Sequence, residues 1–146
     1  MGLFDKLRGS SAVTFNPQQA LMTIVVAAVK ADGHVSDDEI RRIRSLCLLN
    51  PLFATNSTEQ DNAIFRFADN TTHQLGAQAV AMAAAALPSA LRETAFAYAC
   101  DMVLADGIVT ADEEHTIIDL AEKLGVTEEL AHAIVTTTIV RNRGNE

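Results

Sequence analysis

Apolar residues along the chain recur at helical spacing, and nowhere does the period-two alternation of a strand stand out. Asn16-Pro17 is a helix start, a cap followed by proline at the first helical position. Leu21, Ile24, Val25, Ala28 and Val29 give the helix that follows a broad apolar face, as far as about Ala31. Ser36 opens a second helix through Ile40, Ile43, Leu46 and Cys47, with Arg41, Arg42 and Arg44 on its outer side and Pro51 at its end. Ser57-Thr58-Glu59-Gln60-Asp61 starts a third, carrying Ile64, Phe65 and Phe67, with a break expected near Asn70–Thr72. Leu75–Leu87 is an alanine-rich helix stopped by Pro88. Ser89 is placed to cap the next, whose Phe96, Tyr98, Cys100, Met102, Val103 and Leu104 are apolar nearly all round, as in a central buried helix. A further helix carries Ile117, Ile118, Leu120, Ala121 and Leu124 and ends at Gly125; Thr127 then caps a last one running to about Val140. The expected fold is all-α, a compact bundle of about seven helices. The expected organisation is an N-terminal segment 1–15, a single helical domain 16–141 and a polar tail 142–146.

One nine-residue stretch occurs twice. Ala31–Glu39 is Ala-Asp-Gly-His-Val-Ser-Asp-Asp-Glu and Ala105–Glu113 is Ala-Asp-Gly-Ile-Val-Thr-Ala-Asp-Glu, identical at six positions and offset by 74. Such a repeat predicts two copies of one helix–turn–helix unit, related by a pseudo-two-fold axis. Much of it is helix mechanics. Gly33 and Gly107 follow apolar helical segments, where a left-handed residue ends a helix. Ser36 and Thr110 stand at N-caps with Glu39 and Glu113 three residues on, the capping box. Asp37, Asp38 and Asp112 place negative charge where the helix dipole favours it. Asp32 and Asp106 do not fit that account: each precedes its glycine at the C-terminal end of a helix, where the dipole disfavours an acid.

From Glu93 through Glu122 the chain carries acids and no Lys or Arg. Crowded like charges destabilise one another unless a cation neutralises them. If the two hairpins pack about the axis, Asp32, Glu39, Asp106 and Glu113 converge, with Asp38 and Asp112 beside them. Oxygen ligands of this kind suit a divalent cation, with calcium, magnesium, manganese and zinc as the candidates. With Asp32-Gly33 set at positions five and six of an EF-hand loop, Ser36 and Glu39 fall at nine and twelve. Positions one and three would then be Ala28 and Lys30, or Met102 and Leu104 in the second copy, so only half of such a loop occurs, twice.

Composition narrows the function classes. The formal net charge of −8 argues against a general nucleic-acid or anionic-membrane binder and suits cations or basic partners. Aromatics are 5% of the residues and Trp is absent, which suits an alanine-rich core of closely packed helices. Cys47 and Cys100 lie among apolar residues and are expected as buried, reduced thiols of an intracellular protein. Leu3–Leu7 is too short and too charged for a signal peptide, and the apolar runs Leu21–Val29 and Ala77–Leu87 fall short of a membrane span, so a cytoplasmic location is expected. Glu129-x-x-His132 matches one half of a di-iron carboxylate site, but a second pair is missing. His34 could offer a nitrogen to a transition metal, though its counterpart is Ile108; His73 and His115 have no partner at ligand spacing. There is no phosphate-binding glycine loop, His-Glu-x-x-His, Cys-x-x-Cys or nucleophile elbow, and hence no catalytic set.

The paired motifs Asp32-Gly33-x-Val35-Ser36-x-x-Glu39 and Asp106-Gly107-x-Val109-Thr110-x-x-Glu113 resemble the tellurite-resistance protein B (TerB-like) family. The opening Met1-Gly2-Leu3-Phe4-Asp5-Lys6-Leu7-Arg8-Gly9-Ser10 is similar to the start of its stand-alone members. The resemblance implies an all-helical domain with internal pseudo-symmetry and metal-binding acids, working in a bacterial tellurite-resistance or envelope-stress system. It further implies a membrane partner of the tellurite-resistance protein C type, which would hold the protein at the inner face of the membrane. The metal candidates carried over are Asp32, Glu39, Asp106 and Glu113, with Asp38 and Asp112 as neighbours; Ala111, where the first copy has Asp37, departs from the pairing. The function expected is a non-enzymatic, cytosolic metal-binding or metal-sensing module. Its competitors are a metal-free interaction domain that docks a basic partner on its acidic face and, third, a di-iron carboxylate enzyme.

Overall fold

Asn16 opens the first helix as its chemistry requires: its Oδ1 accepts from the Gln19 amide (2.8 Å) and Gln19 Oε1 accepts from the Asn16 amide (3.0 Å), with Pro17 at the first helical position. The structure, a computed structural model, describes residues 13–30, 35–105 and 107–144, and only the backbone of Cys47 and Leu48. The helices of the described residues are α1 (Pro17–Val29), α2 (Asp37–Leu49), α3 (Thr58–Leu75), α4 (Gln78–Ala85), α5 (Ser89–Val103), α6 (Ala111–Leu124) and α7 (Glu128–Arg141), with a 3₁₀ turn over Pro51–Phe53. Among the described residues there are no strands, and the fold is all-α as the spacing predicts.

The helix buried on all sides is α1, not the expected α5. From Ala20 to Val29 it exposes only Ala27 and that partly, and it packs against α3, α4 and α5. The small side chains of α4 (Ala79, Ala83 and Ala84, all buried) let that helix approach α1 closely. α5 buries Ala95, Phe96, Ala99, Cys100 and Met102 against α1 but leaves Tyr98 and Val103 half-buried. Polar ties fix the ends. Gln18 Nε2 donates to the Leu52 carbonyl (2.7 Å), Asn50 Nδ2 donates to Tyr98 Oη (2.7 Å), and Lys30 pairs with Asp69 (2.6 Å).

Two local expectations are corrected. α3 runs unbroken through Asn70–Thr72 because Thr71 and Thr72 are buried there, and the Thr72 hydroxyl is satisfied by the Asp69 carbonyl (2.9 Å). The helix stops instead at Gly76, whose φ of +56° an L side chain rarely adopts. Ser89 is not the cap of α5. Pro88 holds the N-cap in extended geometry, its carbonyl accepting from Leu91 (3.0 Å) and Arg92 (3.1 Å), and Ser89 becomes the first helical residue.

Candidate metal centre

The two repeated turns build the same cap. Ser36 sits at φ −78°, ψ 164° and Thr110 at φ −79°, ψ 163°. Ser36 Oγ accepts from the Glu39 amide (3.2 Å) while Glu39 Oε1 accepts from the Ser36 amide (2.8 Å). Thr110 Oγ1 accepts from the Glu113 amide (3.1 Å) while Glu113 Oε1 accepts from the Thr110 amide (3.0 Å). Each glutamate thus spends one carboxylate oxygen on orphan amides and keeps the second outside the cap. Both are half-buried, because Val35 and Val109 of the same turns pack against the core and draw the first turns of α2 and α6 inward.

Glu39 and Glu113 line one cleft of about 570 Å³, together with Asp112 and His115 and over a floor that includes Ala28, Val29, Met102 and Val103. Residues 74 apart in sequence therefore face a common space. Asp38 is not among the lining residues: it is exposed and its carboxylate pairs with Arg41 (3.3 Å) one turn further along α2. Asp32 and Asp106 lie outside the described residues. Among the described residues, no three His, Cys, Asp or Glu side chains stand close enough together to hold a metal ion. The described carboxylates fit a hard cation in kind but supply only part of a ligand shell.

His115 reaches the cleft although its spacing in the chain suggested no ligand partner. The signal was present: Asp112 and His115 are three apart and share a face of α6. Asp101, another acid of the base-free interval, is engaged elsewhere, in an ion pair with Arg141 at the end of α7. Gly107 does more than end a turn. It holds φ +75°, and a side chain there would meet the Asn142 carbonyl oxygen at 2.9 Å, so the second turn packs against the backbone just beyond α7. The Cys100 thiol is buried, and burial pushes its pKa up to about 12, which keeps it neutral and unreactive.

A family model described as tellurite resistance protein TerB matches residues 18–135, from the first turn of α1 into α7. No curated protein and no solved structure matches the chain.

Proposed function

The chain belongs to the tellurite-resistance protein B family, and from that premise we propose a non-enzymatic module of a tellurite-resistance system that binds and senses a divalent cation at its two repeated turns. The observation that carries the proposal is the shared cleft of Glu39 and Glu113, each fixed by its own capping box with one carboxylate oxygen to spare. Asp112 stands beside them, and Asp32 and Asp106 of the same motifs would complete the oxygen set across a pseudo-two-fold axis. Asp38 drops to a peripheral role, given its pairing with Arg41. An all-oxygen set favours calcium, magnesium or manganese, and a nitrogen from His115 would admit zinc. Bridging the starts of α2 and α6 would let the cation alter how those two helices sit on α5, against which both pack, and that is the sensing step. None of the described helices is long and apolar enough to cross a membrane, so association with one would run through a partner.

The test is thermal melting of chelator-stripped protein, titrated with each cation at fixed ionic strength. A ligand at 100 times its Kd that binds only the folded state stabilises by about 2.7 kcal/mol. Gln at the third helical position preserves a capping box, so Glu39→Gln with Glu113→Gln should abolish the cation-induced rise while leaving the stripped midpoint nearly unchanged. No rise with any cation beyond a salt control would sink the metal proposal and leave the glutamates as caps.

A further inference from the structure

α6 carries two different faces. Asp112, Glu113, His115 and Thr116 look into the cleft described above, whereas Ile117, Ile118 and Ala121 look toward α7. α7 is poorly covered for an apolar helix: Thr138 is its one buried residue among those described, and Ala131, Ile134 and Val135 are only half-buried. It packs on α5, and between it and α6 lies an open groove of about 610 Å³. Ile118 stands in that groove 53% exposed. An open groove between two helices, floored by aliphatic side chains and rimmed by charge, has the form of a helix-binding groove.

The rim tells what would cover it. Glu114, Glu122 and Glu128 line the groove and are exposed, and no Lys or Arg lines it. The nearest lysine along α6, Lys123, is paired with Asp119 (2.9 Å) and borders a different cavity, while Arg141 is held by Asp101. We infer that the α6–α7 groove is the docking site for a basic amphipathic helix of a partner protein. Apolar residues at i, i+3 or i+4 and i+7 of that helix enter over Ile117, Ile118 and Val135, and its flanking Lys or Arg residues meet the three glutamates. This is the helix-in-groove mode, in which apolar anchors supply affinity and complementary charge sets partner choice and on-rate.

The probe is an 18-residue helical peptide with Leu at every i, i+3, i+4 and i+7 position and Lys elsewhere, with a control peptide carrying Glu in place of Lys. Binding is followed by fluorescence anisotropy and by amide resonance shifts of the full chain. The lysine peptide is expected to perturb α6 and α7, with an affinity that falls as salt is raised, and the glutamate peptide to bind at least tenfold more weakly. Ile118→Asp and the milder Ile118→Ser should each weaken binding about tenfold or more, with melting curves confirming that both remain folded. Leu49→Asp, at a still more exposed apolar position on α2, should change nothing. The inference is overturned by absence of binding at millimolar peptide, by shifts confined to other helices, or by equal affinity for both peptides. It is also overturned if sedimentation finds a dimer that Ile118→Asp dissociates, since the groove would then hold a second copy of this chain.

Discussion

Gly107 and Gly125 share the left-handed region, at φ +75° and +69°, yet they are not equivalent. Gly125 is the C-cap of α6, whereas α5 already ends at Val103 with Leu104 as its cap, so that Gly107, expected to end that helix, shapes the turn beyond it. An alanine at either would carry roughly 1–2 kcal/mol of backbone strain. At Gly125 nothing lies within 4 Å of the added carbon, whereas at Gly107 it would strike the Asn142 backbone. Forced contacts in packed surroundings cost about 1–3 kcal/mol more, so Gly107→Ala should be the more destabilising by that margin in urea unfolding; equal losses would show that the turn can shift away from Asn142. Cys100 gives a second test at this scale. Its thiol stays protonated up to about pH 12 in the folded chain but ionises near the ordinary value of 9.0 once exposed. The unfolded chain therefore holds fewer protons above pH 9. The stabilisation is complete below that pH and is lost between pH 9 and 12, at roughly 1 kcal/mol per pH unit. Stability measured from pH 8 to 11 should fall more steeply for the natural chain than for Cys100→Ala, and parallel profiles would refute the assignment to this thiol.

At the scale of elements, the caps were the most legible feature because they are local. Asn16, Ser36, Ser57, Thr110 and Thr127 each accept from an amide three residues on, as their types and spacing predict. The misplaced features are those that long-range packing decides. Asn70-Thr71-Thr72 has the composition of a loop, but burial of Thr71 and Thr72 holds α3 together. Ser89 has the side chain of a cap, but Pro88 already fixes the extended backbone one residue earlier, and the helix starts from there. The central place of α1 was likewise hidden, since an apolar pattern reports how many faces are buried and not which neighbours bury them. For the candidate site, the repeat alone singles out Glu39 and Glu113, because identical local mechanics imposes identical sequence. The Asp38–Arg41 pair, three apart on α2, and the shared face of Asp112 and His115 on α6 are local and open to the same spacing argument. That Glu39 and Glu113 line one cleft is not local, because it depends on how α2 and α6 are set on α5.

Across the whole molecule, burial is distributed unevenly, and that distribution should be visible as a hierarchy of stability. α1 is enclosed by α3, α4 and α5, so its amides can be exposed only by taking the core apart. α7 rests on α5 through half-buried Leu130, Ala131, Ile134, Val135 and Ile139, and its end is tied by the Arg141–Asp101 pair, by Asn142 Nδ2 donating to the Leu104 carbonyl (3.3 Å), and by the approach of Gly107 to the Asn142 backbone. Elements with few buried contacts open with free energies well below the global value. In native-state hydrogen exchange α7 should therefore exchange through a low-energy opening, while Ile24, Val25 and Val26 of α1 exchange only through global unfolding. Arg141→Ala should lower the protection of α7 and leave that of α1 in proportion to total stability. The same helix forms one wall of the groove, so a docked basic helix should raise the protection of α7 above all others, whereas a cation bound at the repeated turns should act first on α2 and α6. Uniform protection across the seven helices of the described residues in the unliganded protein would mean that α7 is held by interactions stronger than those found on α5, and would remove the mechanical basis for treating it as the open side of the fold.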